Sequence, residues 1–217
     1  MEMQTHQQRK KRKPRADGER TRAAILNEAT SLATLHGLGG LTIGRLAELT
    51  GMSKSGLFAH FGSKENLQLA VVATAARCAQ EEYTGPAAEA DTPLEKLWSI
   101  AARFLSFVER RVFPGGCFFA AVTVEMQALP DAVRRRIERH QNGYFRLLDN
   151  WVREAILGGE LKTGLEPEQI AFELHSLIIT SNTMYKIHGD PAVLERAWDG
   201  VRRLLGDPGR ARRRQAE

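Results

Sequence analysis

Apolar side chains recur along this chain at the spacing of an α-helix. Ile25, Ala29, Leu32 and Ala33, followed by His36, fall at i, i+4, i+7, i+8 and i+11, which is one face of a first helix. The alternation that is typical of a strand is absent, and most predicted loops contain Gly or Pro. The pattern predicts an all-α protein with nine helices, at residues 19–36, 43–50, 54–60, 64–83, 93–110, 116–128, 131–157, 167–187 and 191–205.

Helix start signals support several of these segments. Ser63 is a suitable N-cap for a helix whose first turn contains Glu65. Residues 92–95, Thr-Pro-Leu-Glu, combine an N-cap Thr, a first-turn Pro and a Glu at the capping-box position. Pro167 and Pro191 suit the first turns of the last two helices. These signals indicate helix N-termini independently of the apolar periodicity.

The composition indicates a soluble globular protein. Of the 217 residues, 42% are hydrophobic and 26% are charged, which is ordinary for that class. No apolar run reaches the roughly 20 residues that a membrane helix needs, and the first residues lack the apolar stretch of a secretory signal. Cys78 and Cys117 have no His nearby at metal-binding spacing. We therefore expect a cytoplasmic protein without a disulfide framework, a metal site or a cofactor.

Positive charge is concentrated at the two ends of the chain. Residues 1–22 hold eight Lys and Arg against three acids, and residues 202–217 hold six against two. Residues 68–201 hold fourteen against eighteen, so the middle of the chain is slightly acidic. Basic ends are typical of a polyanion partner or of solubilising tails. The dense run at residues 9–13, Arg-Lys-Lys-Arg-Lys, favours contact with nucleic acid, and a solubilising tail is the alternative.

Residues 41–67 have the pattern of a helix-turn-helix. Ala47 is small at the point where the second helix passes over the first. Gly51, four residues later, permits the tight turn between the helices. Met52 and Leu57 then fill the space between them. A helical hairpin that does not bind DNA shares this spacing, so the pattern alone leaves both interpretations open.

The second of these two helices has an outward side that fits a DNA groove. Ser53 is a suitable N-cap, and Lys54, Ser55, Gly56 and Ala59 then lie on the side away from the core. These residues are small or flexible, as a helix that enters the major groove, about 12 Å wide, requires. This side of the helix is therefore compatible with entry into the major groove.

Several short motifs within residues 20–70 occur in a combination that a generic helix-turn-helix does not have. They are an Arg-rich start of the first helix, Leu-Thr-Ile at 41–43, Leu-Ala at 46–47, Gly-Met-Ser-Lys-Ser-Gly-Leu-Phe at 51–58, His-Phe at 60–61 and Ser-Lys-Glu-Asn-Leu at 63–67. This combination resembles the TetR family of transcriptional regulators. The resemblance implies an N-terminal three-helix DNA-binding domain and a C-terminal helical domain for ligand binding and dimerisation. It also implies a repressor, not an enzyme, that an unidentified small apolar ligand releases from its operator.

The resemblance further implies which side chains contact DNA. Thr42 matches a hydroxyl that contacts phosphate, and residues 54–56 match the base-facing start of the recognition helix. His60 and Lys64 match phosphate-binding side chains. The full implied set is Arg20, Arg22, Thr42, Arg45, Ser53, Lys54, Ser55, Gly56, Phe58, His60 and Lys64.

Two positions depart from the family pattern. Phe58 stands where the family usually has Tyr, and it lacks a hydroxyl for phosphate, so we expect a thymine-methyl or sugar contact instead. Gly44 stands where some members have a base-reading Arg, so we expect Arg45 to contact the DNA backbone. His60 also has a structural interpretation, as a partly buried histidine packed beside Phe61.

We divide the chain into four parts on this basis. A basic flexible arm covers residues 1–18, and the helix-turn-helix domain covers 19–67. A ligand-sensing and dimerisation domain covers 68–206, and a basic tail covers 207–217. N-terminal arms of this kind run along or into the adjacent minor groove, as homeodomain arms do. We therefore expect the arm to add affinity that depends on salt.

The predicted body is rich in large apolar side chains at helical spacing, which are more often core than ligand contacts. The resemblance implies a pocket among them, and such pockets are apolar with a few polar groups. The candidate ligand-binding residues are Trp98, Phe107, Phe118, Val122, Glu125, Met126, Tyr144, Trp151 and His175.

The last two predicted helices, 167–187 and 191–205, suit a dimer interface. Their apolar stripes are Ile170, Leu174, Leu177, Ile178, Ser181 and Tyr185 on the first, and Leu194, Ala197, Trp198, Val201, Leu204 and Leu205 on the second. Two helices from each subunit would form a four-helix bundle and present two recognition helices to near-palindromic double-stranded DNA. Burial of both stripes within one subunit is the alternative, and the resemblance favours the homodimer.

Three other functions stay open. Cys117 with His140 or His175 would suit a nucleophile and base, but the sequence has no phosphate loop, dinucleotide motif or HExxH motif. A DNA-binding thiol sensor would use Cys117 or Cys78, although inert buried cysteines are commoner. A regulator that answers to a protein partner is the third.

Overall fold

The computed structural model describes residues 14–161, 164 and 166–206. Residues 1–13 and 207–217, which hold most of the predicted arm and the predicted tail, lie outside the described residues. The described part of the chain forms ten α-helices and no strand. The helices are α1 (Pro14–His36), α2 (Ile43–Thr50), α3 (Lys54–Phe61), α4 (Lys64–Ala79), α5 (Gly85–Ala88), α6 (Pro93–Glu109), α7 (Phe118–Thr123), α8 (Asp131–Leu157), α9 (Pro167–His188) and α10 (Ala192–Leu205).

The observed helices differ from the predicted ones in three places. The described part of α1 extends from Pro14, so residues 14–18, which we assigned to the N-terminal arm, are helical. α4 ends at Ala79, and a π-helical turn (Gln80–Thr84) joins it to α5. The predicted helix 116–128 is interrupted, because only α7 and a 3₁₀ turn (Met126–Ala128) are helical there.

Side-chain caps explain where several helices begin. The hydroxyls of Thr42, Ser53, Ser63 and Thr92 each accept a hydrogen bond from the backbone N–H three residues later, at 3.1 to 3.3 Å. The predictions that Ser63 and Thr92 are N-caps are therefore confirmed. Gly51 ends α2 with φ 66°, a left-handed conformation that glycine adopts without strain, as the turn between α2 and α3 requires.

The helices share one continuous apolar core. Leu46 and Leu57 are fully buried in the N-terminal head formed by α1, α2 and α3. α4 packs against both α1 and α8, so this helix connects the head with the body. The body consists mainly of α6, α8, α9 and α10, which pack on one another. None of the described helices is long and apolar enough to cross a bilayer.

Candidate nucleic-acid interface

α3 has one buried face and one exposed face. Leu57 and Phe61 are buried against the other helices of the head. Lys54 and Ser55 are exposed, and 56% of the Phe58 surface is accessible to solvent. A large apolar ring that is this exposed, beside polar residues at a helix N-terminus, suits contact with a base methyl or a sugar. The face that the sequence predicted to point outward is therefore exposed in the fold.

The capping hydroxyls retain a donor for phosphate. Oγ1 of Thr42 accepts from the N–H of Arg45 at 3.2 Å, and Oγ of Ser53 accepts from the N–H of Gly56 at 3.1 Å. A hydroxyl that accepts in this way keeps its own O–H for another acceptor. Oγ of Ser53 also lies 3.1 Å from Oγ of Ser55, so these two hydroxyls share one hydrogen bond. Thr42 is exposed, so its O–H can reach a phosphate oxygen.

The predicted DNA-binding cations at positions 20, 22, 45, 54 and 64 are exposed, and three of them have a defined contact. The guanidinium of Arg22 lies 5.3 Å from the ring centroid of Phe61, and Nη2 of Arg45 lies 2.9 Å from Nε2 of His36. Nζ of Lys64 donates to the carbonyl oxygen of Gly39 at 2.6 Å. Arg20 is exposed on α1. Because Arg and Lys carry several donors, these contacts leave other N–H groups for phosphate.

His60 packs beside Phe61, as the structural interpretation of this residue predicted. It is half-buried, and its ring centroid is 6.2 Å from that of Phe61, so the ring packs at the edge of the core. The rest of the ring reaches solvent near the C-terminal end of α3. The structural interpretation is therefore confirmed, and it leaves part of the ring accessible to DNA.

Two of the predicted ligand-binding residues, Tyr144 on α8 and His175 on α9, lie together. Their ring centroids are 5.6 Å apart, and the ring of Phe145 lies 4.7 Å from that of His175. Oη of Tyr144 and Nδ1 of His175 are buried without a hydrogen-bond partner among the described residues. Burial lowers the pKa of His175 and raises the pKa of Tyr144, so both side chains are uncharged near neutral pH.

Three other predicted ligand-binding residues make ring contacts with different partners. Trp98 stacks edge-on with Trp198 of α10, with centroids 5.2 Å apart. Phe107 and Phe118 lie in separate aromatic contacts, with Tyr83 at 5.5 Å and with Phe119 at 5.3 Å. The remaining apolar candidates, all buried or half-buried in the core, are Val122, Met126 and Trp151.

Glu125, which we predicted as a polar group of the pocket, lies instead at the boundary between the body and the head. Its carboxylate accepts hydrogen bonds from the backbone N–H groups of Leu38 and Gly39, the second at 3.0 Å. Glu125 follows α7, and α7 packs against α1, which brings its side chain to the end of α1. Sequence spacing did not reveal this contact because the two partners are 86 and 87 positions apart.

The loop that joins α6 to α7 contains contacts that the sequence analysis missed. The N–H of Gly115 donates to Oγ1 of Thr34 on α1 at 3.0 Å. The N–H of Cys117 donates to Oδ1 of Asn182 on α9 at 2.8 Å. A Cβ at Gly115 would overlap the backbone of Thr34, so only glycine fits at this crossing. The Gly-Gly-Cys run at 115–117 is visible in the sequence, but the sequence does not show which residues this run contacts.

The environment of the two cysteines does not favour thiolate chemistry. Cys117 is buried, and burial raises the pKa of its thiol. Cys78 is half-buried, and burial together with the nearby Glu82 and Glu81 raises the pKa of its thiol to about 11. Reactive cysteines have lowered pKa values in exposed, electropositive surroundings.

The predicted dimer stripes of α9 and α10 are mostly buried within the chain. Ile170, Leu174, Ile178 and Ser181 of α9 face its core. So do Leu194, Ala197, Val201 and Leu205 of α10. These eight residues are therefore buried within one subunit, as the alternative predicted, and α9 and α10 pack on each other and on α6.

The outward side of α9 and α10 forms an open groove of about 870 Å³, and four residues of the predicted stripes, Leu177, Ser181, Ala197 and Leu204, are among those that line it. Leu177, Thr180 and Met184 line it from α9. Val193 and Leu204 line it from α10, with Arg196 and Arg203 beside them. The groove offers apolar and charged side chains together, as the surface of a helical interface does.

Two family models match the chain. Residues 25–71 match the model described as bacterial regulatory proteins, tetR family, and residues 93–201 match a tetracyclin repressor-like C-terminal domain. An N-terminal helix-turn-helix domain followed by a helical domain defines a DNA-binding transcriptional regulator. The second match covers half of the chain, and the protein belongs to the TetR family, whose members are transcription factors and not enzymes.

Individual relatives agree with this assignment. The HTH-type transcriptional repressor AcnR of Corynebacterium glutamicum is 47% identical over 51 residues, which are 24% of this chain and 27% of that protein. The alignment thus spans about a quarter of the curated relative. A TetR regulator from Chloroflexus aurantiacus superposes with TM-score 0.77 at 23% identity, covering 86% of this chain and 94% of that one. AibR in complex with isovaleryl coenzyme A and operator DNA gives TM-score 0.73 at 21% identity, covering 85% and 98%.

Proposed function

We propose that this TetR-family regulator is a homodimeric repressor that a small, mostly apolar ligand releases from a near-palindromic operator. The observation that carries the proposal is the exposed start of α3. Lys54, Ser55 and Phe58 form an accessible surface there, while Leu57 and Phe61 hold the helix on the core. A helix held in this way can enter the major groove with its N-terminal residues against base edges.

The homodimer is proposed through α9 and α10. Their outward groove is bordered by Leu177, Met184 and Leu204, and by the charged Glu173 and Arg203. A second copy that packs its own α9 and α10 into this groove would complete a four-helix bundle. Twofold symmetry would then present two copies of α3 to half-sites roughly 34–36 Å apart, one turn of the duplex.

The ligand is proposed to bind within the body, near Tyr144 and His175. Both side chains are uncharged, and each has a buried polar atom without a partner among the described residues. Unpaired buried polar atoms are costly, and a small ligand with one polar group would satisfy them. The similarity to AibR, whose complex holds a ligand and operator DNA together, supports such a role for the fold.

The basic residues that precede α1, together with those of its first turn, are proposed to add phosphate or minor-groove contacts beside α3. The protein is proposed to act in the cytoplasm. Arg20 and Arg22 at the exposed surface of α1 would continue this contact along the DNA backbone. Such contacts raise affinity for any sequence and weaken with salt.

Selection of duplexes from a random library with the full-length protein tests the proposal. We expect enriched duplexes to hold two inverted half-sites at one fixed spacing, and Ser55→Arg to change the enriched sequence. A library without an enriched motif, or with a single unpaired motif, would contradict the dimeric operator complex. If a second purified protein releases the selected duplex and no tested compound does, regulation by a protein partner is favoured over regulation by a ligand.

A further inference from the structure

The loop between α1 and α2 is bound by a side chain from the body. The two carboxylate oxygens of Glu125 accept hydrogen bonds from consecutive backbone N–H groups, those of Leu38 and Gly39. Hydrogen bonds to an ionised carboxylate are roughly twice as strong as those between neutral groups. Glu125 is half-buried, so water competes only in part for its oxygens.

The glycines beside Leu38 leave the space that the carboxylate occupies. A Cβ at Gly37 would lie 2.8 Å from Oε2 of Glu125, and a Cβ at Gly39 would lie 2.9 Å from the same oxygen. Both distances are shorter than real Cβ contacts, so any larger residue at either position would displace Glu125. Gly37 also has φ +77°, a conformation that other residues rarely adopt.

The same loop is bound on its carbonyl side by α4. Nζ of Lys64 donates to the carbonyl oxygen of Gly39 at 2.6 Å, and Nε2 of Gln68 donates to that of Leu38 at 2.9 Å. The loop therefore connects a side chain of the body with the helix that begins directly after α3. Gln68 is buried, which makes this connection part of the core.

We propose that Glu125 is a positioning residue for operator binding, whose carboxylate fixes the loop at residues 37–39 and thereby the orientation of α2 and α3 relative to the body. The inference deepens the proposed function, on which it rests for the dimeric operator. Val122 is buried and Met126 packs against the core, so rearrangement of the core around them moves Glu125 against the loop. Ligand binding in the body would reach the DNA head through this contact.

Glu125→Ala, Glu125→Gln and the control Gln127→Ala test the role in the full-length protein. Gln127 is exposed in the same segment. The probes are a duplex selected by the wild-type protein, the same duplex with one base pair inserted between its half-sites, and mixed-sequence DNA. We expect Glu125→Ala to weaken the selected duplex about tenfold or more, since two charge-assisted bonds are lost. It should also reduce the discrimination between the two spacings and leave mixed-sequence binding unchanged.

The glutamine variant distinguishes an effect on the position of the loop from an effect on the stability of the whole fold. An amide supplies one acceptor oxygen, and its NH₂ group would face the second N–H, so Glu125→Gln should lie between the wild type and Glu125→Ala. Hydrogen exchange adds a readout without DNA, because residues 37–61 should exchange faster in Glu125→Ala than in Gln127→Ala.

Unchanged spacing discrimination or unchanged exchange would overturn the proposal. Parallel loss on all three DNAs with a lower Tm would also overturn it, in favour of a structural role. Failure of the wild type to select paired half-sites would refute the dimeric operator alone, and exchange would still decide on Glu125.

Discussion

The side chain of Lys54, at the start of α3, passes over Gly44, at the start of α2. A Cβ at Gly44 would lie 3.5 Å from Cε and 3.7 Å from Nζ of Lys54, the distance of ordinary van der Waals contact. Gly44 stands at the position where some family members have a base-reading Arg, and here the aliphatic part of Lys54 covers it. The ammonium group of Lys54 therefore lies near the junction of the two helices, on the exposed face of the head.

Lys54→Ala should therefore relax sequence preference more than it lowers general affinity. If Nζ of Lys54 binds a guanine edge, the change should cost roughly 1–3 kcal/mol on the best duplex and much less on mixed-sequence DNA. Fluorescence anisotropy with both DNAs at one salt concentration measures the two effects. Equal losses on the selected and the mixed-sequence duplex would assign Lys54 to the DNA backbone instead.

Lys64→Ala should weaken all duplexes alike. Lys64 is exposed beside Gly39, away from the start of α3, so we expect it to neutralise a phosphate and not to contact bases. The magnitude of the slope of log affinity against log salt concentration should fall by about the contribution of one phosphate contact. Lys186→Ala is the control, because Lys186 is exposed near the end of α9. A slope equal to that of the control would show that Lys64 serves only the Gly39 carbonyl.

Thr180→Arg should prevent dimerisation and with it high-affinity operator binding. Thr180 lines the groove of α9 and α10 and is exposed in the single chain, so the change should leave the subunit folded. In a dimer the new guanidinium would be buried beside Arg196 and Arg203, where unpaired like charges are costly. Asn150→Arg, on the exposed surface of α8, is the matched control. Sedimentation that shows both variants as dimers would place the interface elsewhere.

The sequence predicted the DNA head far better than the body, and the reason is the sequence distance between contacting residues. The caps at Thr42 and Ser53 and the turn at Gly51 depend on neighbours within five positions, so local patterns contain them. The head contacts of Glu125 and Gly115 join residues more than 80 positions apart. Local patterns in one sequence do not reveal which distant residues will be in contact. The π-helical turn at 80–84 was missed for a different reason, since it continues the helical spacing of α4.

The dimer stripes show the same limit for helix faces. Periodicity identified the apolar face of α9, including Leu174 and Ile178, but both are fully buried inside the subunit. α9 packs on α6, α8 and α10, so most of its apolar side chains have partners within the subunit. The sequence does not show which helix face stays exposed for dimerisation after the subunit has folded. The groove at Thr180 and Met184 became visible only in the structure.

Acidification should destabilise the fold through His140. Its ring stacks on Phe119 with centroids 3.8 Å apart, and burial, assisted by Arg136, lowers its pKa to about 4. An unfolded histidine has a pKa near 6.5, so between about pH 6.5 and pH 4 the unfolded state binds more protons than the folded state. Its contribution to stability is therefore complete above about pH 6.5 and is lost as the pH falls towards 4. His140→Gln should reduce the drop in the free energy of unfolding between pH 7 and pH 4.5 by roughly 1–3 kcal/mol.

Urea unfolding at the two pH values measures this difference. His188→Gln is the control, because His188 is exposed at the C-terminal end of α9. A drop in stability that is the same in the wild type and His140→Gln would contradict the assignment.

Ligand and operator should weaken each other by the same factor. If a ligand near Tyr144 and His175 shifts the body to a state in which Glu125 no longer orients the head, that state binds the ligand more tightly and the operator less tightly. Coupling free energies of this kind are roughly 1–3 kcal/mol, which corresponds to a change in operator affinity of about 5- to 150-fold.

A compound found by thermal-shift screening is then titrated calorimetrically with and without the selected duplex. We expect its affinity to fall with DNA by the factor that the compound imposes on the duplex, because linkage is reciprocal. Tyr144→Phe removes the unpaired hydroxyl and should weaken the compound while leaving operator affinity unchanged in its absence. A compound that binds equally well in both titrations does not control DNA binding, since equal affinity for two states shifts neither.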